Sequence, residues 1–163
     1  MRTSDGVGSP GSAGVVKEAD GLNRAMRLLA LRDHSENELR RKLAAQGVSE
    51  AEIDSVIAHC YHYQWLDDGR FAERYIASRS RKGYGAQRIR QELGVRGVAR
   101  DVIQQALAEC TVDWHAQARR TLERHFSLPL ASDWATRAKV QRYLLYRGFF
   151  QEEIQDALRD LSR

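Results

Sequence analysis

Arg88-Ile89-Arg90-Gln91-Glu92-Leu93, then three residues, then Gly97-Val98, then Ile103 and Leu107, is a phrase the chain carries three times. The earlier copy is Glu38-Leu39-Arg40-Arg41-Lys42-Leu43, Gly47-Val48, Ile53 and Ile57. The later copy is Lys139-Val140-Gln141-Arg142-Tyr143-Leu144, Gly148-Phe149, Ile154 and Leu158. The glycines stand 50 and then 51 residues apart. A fixed period of this kind marks a repeat architecture, and three copies are about the minimum such an array needs.

The phrase reads as helix, glycine stop, helix. Leu39 and Leu43 lie i, i+4 on one helical face, as do Ile89 with Leu93 and Val140 with Leu144. Gly47, Gly97 and Gly148 follow one turn later, where a left-handed residue ends a helix. The second helix carries Ile53, Val56, Ile57 and Cys60, repeated as Ile103, Ala106, Leu107, Cys110 and as Ile154, Ala157, Leu158, Leu161. Neither stripe can be buried by its partner alone, so each copy needs a third helix upstream. Ala25 and Leu29, Ala72 and Ile76, and Ala118 and Leu122 supply its inward face.

Working outward, residues 1–21 are rich in glycine and serine without an apolar stripe and read as a disordered leader. Three-helix repeats follow over 22–66, 67–112 and 113–163. Ser35 with Glu38 forms a capping-box pattern, Ser49 starts the next helix, and Asp67 or Asp68 caps the one after. The link inside the third repeat is longer and holds Leu128-Pro129-Leu130. The expected fold is all-α, three tandem three-helix repeats in an elongated, curved array.

Composition narrows the function. Charged residues make up 29% and apolar ones 42% of 163 residues, with two prolines, as a helical globular chain requires. No signal peptide and no apolar run long enough for a membrane span is present, which makes the cytoplasm the expected location. Cys60 and Cys110 hold one repeat position and read as free, buried thiols. Lys82-Gly83-Tyr84-Gly85 lacks the strand and the Lys-Ser/Thr pair of a phosphate loop. His59 and His62 lack further zinc ligands and read as a solvated or interfacial pair. With no nucleophile–base arrangement in view, the expectation is a binding protein without catalytic residues, metal or other cofactor.

The formal charge of +4 is unevenly spread: net −1 over 1–66, +3 over 67–112 and +2 over 113–163. Arg70, Arg74, Arg79, Arg81, Lys82, Arg88 and Arg90 fall within 21 residues, interrupted by Glu73 alone. Local pairing is therefore not expected to neutralise them, and they are the expected binding face. Arg40, Arg41 and Lys42 in the first repeat and Arg119, Arg120 and Arg147 in the third are secondary candidates. The helix-glycine-helix phrase also resembles a helix-turn-helix. However, the helix after the glycine carries Glu50, Glu52 and Asp54, or Glu152, Glu153 and Asp156, which phosphates would repel. The motif reads as structural.

Several stretches together resemble the RecX family, over about residues 22–161. They are Leu31-Arg32-Asp33-His34-Ser35, Leu66-Asp67-Asp68 with Arg70-Phe71, Ser80-Arg81-Lys82-Gly83-Tyr84-Gly85, and Arg142-Tyr143-Leu144-Leu145-Tyr146-Arg147-Gly148-Phe149. The resemblance implies a regulator lodged in the helical groove of the RecA–DNA filament. There it would inhibit the ATPase, co-protease and strand-exchange activities of RecA. It also implies weak, non-specific DNA binding by the protein itself, so an autonomous DNA binder is the alternative function. A monomer is the expected state.

Overall fold

The computed structural model describes residues 18–161, all of whose regular structure is helical: α1 (Glu18–Leu31), α2 (Glu36–Ala45), α3 (Glu50–His62), α4 (Asp68–Arg81), α5 (Ala86–Val95), α6 (Arg100–Glu109), α7 (Trp114–His125), α8 (Trp134–Arg147) and α9 (Gln151–Leu161). Residues 1–17 of the expected leader lie outside the described residues. Its last four, 18–21, already belong to α1, which starts earlier than the apolar stripe announces.

The residues form two compact units. The first holds the described residues up to Phe71 together with Arg96–Val98; the second holds Ala72–Val95 and the described residues from Ala99 on. In the first, α1, α2 and α3 pack pairwise around Ala25, Leu39, Leu43, Val48, Ile53, Val56, Ile57, Cys60 and Leu66. In the second, α7, α8 and α9 pack pairwise around Ala118, Leu122, Val140, Leu144, Phe149, Ile154, Ala157 and Leu158. Leu130 is buried in that same core and pins the long link between α7 and α8. The repeat positions match in burial as well as in identity. Leu39, Ile89 and Val140 are fully buried, as are Leu43, Leu93 and Leu144, and Ala25, Ala72 and Ala118.

Local chemistry sets the helix ends. Ser35 Oγ accepts from Glu38 N at 3.1 Å while Ser35 N donates to Glu38 Oε1 at 3.2 Å, completing the capping box. Ser49 caps α3 by accepting from Glu52 N. Asp67 caps α4 by accepting from Arg70 N at 3.0 Å. Asp68, the other candidate, accepts instead from Glu36 N at 2.8 Å, at the start of α2. Gly47, Gly97 and Gly148 have φ of 90°, 83° and 100°, the left-handed region expected of them.

One packing expectation fails in part. Both cysteines are free and Cys60 is fully buried, but Cys110 is only half-buried. The reason is that α6 stops at Glu109, and Cys110 leaves the helix in an extended conformation, off the apolar stripe that Cys60 shares.

Candidate functional site: the α4–α5 turn of the second repeat

The turn Lys82–Gly85 ends α4 in the left-handed Gly83 (φ 91°), with Tyr84 N donating to Arg79 O at 3.2 Å. A helix C-terminus leaves carbonyls without intrahelical donors. Here the third repeat supplies them: Gln117 donates to Ser80 O, and Arg147 donates to Gly83 O at 3.1 Å and to Lys82 O. Gly85 N donates to Arg147 O at 2.8 Å and Gln87 N to Gly148 O at 3.0 Å, so the start of α5 is capped by the turn that ends α8. The loop is thus held at both ends by backbone bonds, and the side chains of Arg81 and Lys82 project from it exposed.

Around Tyr84 the charges are layered. The guanidinium carbons of Arg79, Arg147 and Arg88 stand 3.9, 4.0 and 4.6 Å from its ring centroid, within cation–π range. Glu92 binds two of these cations, accepting from Arg79 at 2.9 and 3.0 Å and from Arg88 at 3.1 Å, and it also accepts from Tyr75 Oη at 2.8 Å. Burial alone would raise the Glu92 carboxyl; the hydrogen bonds from Arg79, Tyr75 and Arg88 outweigh it and hold the group below its ordinary value. The Glu92 bond raises Arg79 in turn, and it raises Arg88 against the opposing effect of burial. Arg88 also donates to Tyr146 O at 3.2 Å and lies 5.0 Å from the Tyr146 ring, which is 70% exposed.

The expectation that pairing would leave the basic run uncompensated is therefore corrected. Glu92 lies just past the 70–90 window and engages Arg79 and Arg88, one of them at i, i+4, a spacing visible in the sequence. These two arginines build the platform, and Arg81 and Lys82 are the cations it presents. Arg74 and Arg90 are exposed, Arg90 donating to Gln87 Oε1; Arg70 belongs to the first unit. Arg147 is brought directly to the site from the third repeat. Sequence spacing gave no sign of this, because the contact joins residues 64 positions apart.

The other secondary candidates are mostly engaged. Arg40 pairs with Glu36 at 2.8 Å and Asp54 at 2.7 Å. Lys42 Nζ lies 3.0 Å from His34 Nε2. Arg119 pairs with Asp160 at 3.2 Å, and Arg120 bonds Gln117 Oε1. Arg41 is exposed. His59 packs tilted against Tyr63 and Trp65 in an aromatic cluster, and among the described residues no group of His, Cys, Asp and Glu is arranged to hold a metal.

Known proteins resemble this chain in sequence and fold. The models of the first, second and third RecX three-helix domains match residues 22–60, 67–107 and 112–158. The Regulatory protein RecX of Serratia proteamaculans is 54% identical over 88% of this chain and 99% of its own length. The chain belongs to the RecX family. The Regulatory protein RecX of Cronobacter sakazakii is 55% identical over 86% of this chain and 92% of its own, and that of Escherichia coli strain SE11 is 49% identical over 86% and 91%. The crystal structure of RecX from Lactobacillus salivarius has the same fold, with a TM-score of 0.76 at 20% identity over 88% of this chain and 96% of that one. The stretch matched by the second RecX domain model, residues 67–107, spans the basic run. No described helix is long and apolar enough to cross a membrane.

Proposed function

We propose that this RecX-family chain regulates recombination and DNA repair by binding the RecA nucleoprotein filament in its helical groove and inhibiting RecA ATPase, co-protease and strand exchange. The observation that carries this reading is the family match through all three three-helix domains, with 54% identity to a relative spanned almost end to end. We read the protein as a cytoplasmic, monomeric, non-enzymatic regulator. The contact surface we assign is Arg81 and Lys82 on the Tyr84 platform, with Arg74 and Arg90 beside them in the sequence. Side chains that hold carboxylates or phosphates suit a groove lined by both.

The test is RecA ATPase on single-stranded DNA with and without the protein. Wild type should inhibit. The double variant Arg81→Glu/Lys82→Glu should inhibit much less while keeping wild-type helicity and melting temperature. Full inhibition by that folded variant would move the contact surface elsewhere.

A second reading, autonomous DNA binding, is favoured by exposed Tyr146 beside Arg88, since aromatic rings next to arginines stack single-stranded bases. Salt separates the two. Binding through phosphates should fall on a log–log salt plot with a slope of about −0.7 per contact on single strands. Filament binding through RecA carboxylates should persist at salt that strips the protein from naked DNA.

A further inference from the structure

The turn Lys82-Gly83-Tyr84-Gly85 follows two exposed cations with a backbone that has little stiffness of its own. Two of its four residues are glycine, and α4 ends beside it, leaving carbonyls without helical donors. One side chain from the third repeat holds most of it. Arg147 Nε donates to Gly83 O at 3.1 Å, its Nη2 donates to Lys82 O, and its guanidinium carbon stands 4.0 Å from the Tyr84 ring centroid. The other donor near Gly83 O is weaker. Thr121 Oγ1 lies 3.5 Å from that oxygen and closer, at 2.8 Å, to Gln117 O on its own helix. The turn is also shaped to admit this contact. A Cβ on Gly83 would stand 2.8 Å from Arg147 Nη2, and one on Gly85 would stand 2.4 Å from Gly148 O. Both glycines therefore leave room for the end of α8.

We infer that Arg147 is the positioning residue of the contact surface: it latches the Lys82–Gly85 turn to the third repeat and so fixes where Arg81 and Lys82 are presented, without itself meeting the partner. The inference rests on the contact surface assigned above. It changes the role of Arg147, which the sequence alone offers as one more binding cation. Its fork is directed at two loop carbonyls and its face at the Tyr84 ring. A planar guanidinium can make both kinds of contact at once, which an ammonium cannot. The functional consequence is preorganisation. Without the latch, the Lys82 and Gly83 carbonyls turn to water and the turn samples many conformations. Each partner bound would then have to order it again, at a cost in affinity. The third repeat thus acts on the partner through the second.

The experiment compares amide deuterium exchange in the full chain of wild type, Arg147→Met and Arg142→Met, the last an exposed control on the same helix. In Arg147→Met the amides of Tyr84, Gly85 and Gln87 should exchange at least about tenfold faster, while that of Ile154 in α9 keeps its wild-type rate. Arg142→Met should leave them all unchanged. Arg147→Lys keeps the charge without the planar fork and should speed the same turn amides to a lesser degree; it replaces Arg147→Met should that variant not fold. Unchanged exchange at the turn, or equal acceleration at Ile154, overturns the proposal. These measurements contain no RecA. The second arm is RecA ATPase on single-stranded DNA, where Arg147→Met should need at least about fivefold more protein than wild type for half inhibition. Added to Arg81→Glu/Lys82→Glu, the same substitution should change little, because the turn it positions no longer carries the cations. A full further loss on that background would make Arg147 a direct contact and overturn its positioning role. Absence of inhibition by wild type would refute the filament reading, and the exchange result alone would then decide whether Arg147 is the latch.

Discussion

Gly148 lies against Arg88 so closely that a Cβ on the glycine would stand 2.2 Å from the arginine Cβ and 2.7 Å from its backbone nitrogen. The same holds in the first unit, where a Cβ on Gly97 would stand 2.3 Å from Asn37 Cβ. At each place the turn ending one repeat's middle helix presses on the first turn of the preceding repeat's middle helix. These glycines are thus required twice, for a left-handed backbone and for close approach.

Gly148→Ala should therefore destabilise by about 2–4 kcal/mol, combining a positive-φ penalty of about 1–2 kcal/mol with a clash against backbone. Gly94→Ala is the contrast. Gly94 is helical, and a Cβ there would meet nothing within 4 Å. That substitution should stabilise by about 0.5–1 kcal/mol. Urea denaturation measures both, and a Gly148→Ala midpoint equal to wild type would contradict the close approach.

Glu92→Ala should cost about 1–3 kcal/mol, because it leaves Arg79 and Arg88 mostly buried without their carboxylate. The ordinary carboxyl value lies above the folded one, so the contribution is full above about pH 4.5 and is lost as the pH falls through the folded value. The difference between wild type and variant should accordingly shrink in acid, read as the gap between their melting temperatures at about pH 7 and about pH 3.

His34 should make the first unit sensitive to mild acid. It is 3% exposed, its Nδ1 lies 2.9 Å from Arg32 O, and its Nε2 faces Lys42 Nζ at 3.0 Å. Nδ1 therefore donates and Nε2 accepts, which is the neutral ring. Burial lowers its proton affinity, the neighbouring charges of Arg32 and Lys42 add to this, and Glu38 and the Arg32 carbonyl oppose it. The unfolded chain then binds the proton better. Stability is full above about pH 6.5 and declines as the pH drops below it. Chemical denaturation at about pH 7.5 and about pH 5.5 should show that decline in wild type and a smaller one in His34→Gln. Identical declines would place the titration on another group.

The two thiols should differ in reactivity. Burial raises the Cys60 thiol and shields it, whereas Cys110 is half-buried beyond the end of α6. Titration of the native protein with a thiol reagent should show one fast and one slow group. Cys110→Ser should remove the fast phase, and two fast thiols in native wild type would show that Cys60 is accessible.

The periodic phrase determined the helices, the inward residues and the glycine stops, because these depend on local geometry: a stripe needs i, i+4 spacing, and a helix end needs a residue that tolerates positive φ. The end of α6 was not legible, because Cys110 keeps the repeat's stripe position in the sequence yet leaves the helix after Glu109. Nor was the start of α1, because Glu18–Gly21 carries no full apolar stripe to announce it. The basic run was legible as composition, but its division of labour was not. That Arg79 and Arg88 are held by Glu92, and that Arg147 crosses from the third repeat to the Tyr84 ring and the Gly83 carbonyl, depends on contacts up to 64 residues apart in the chain. Sequence periodicity fixes which way a side chain faces on its own helix. Only packing decides which neighbour it meets there, and so whether a charge is spent inside the protein or offered to a partner.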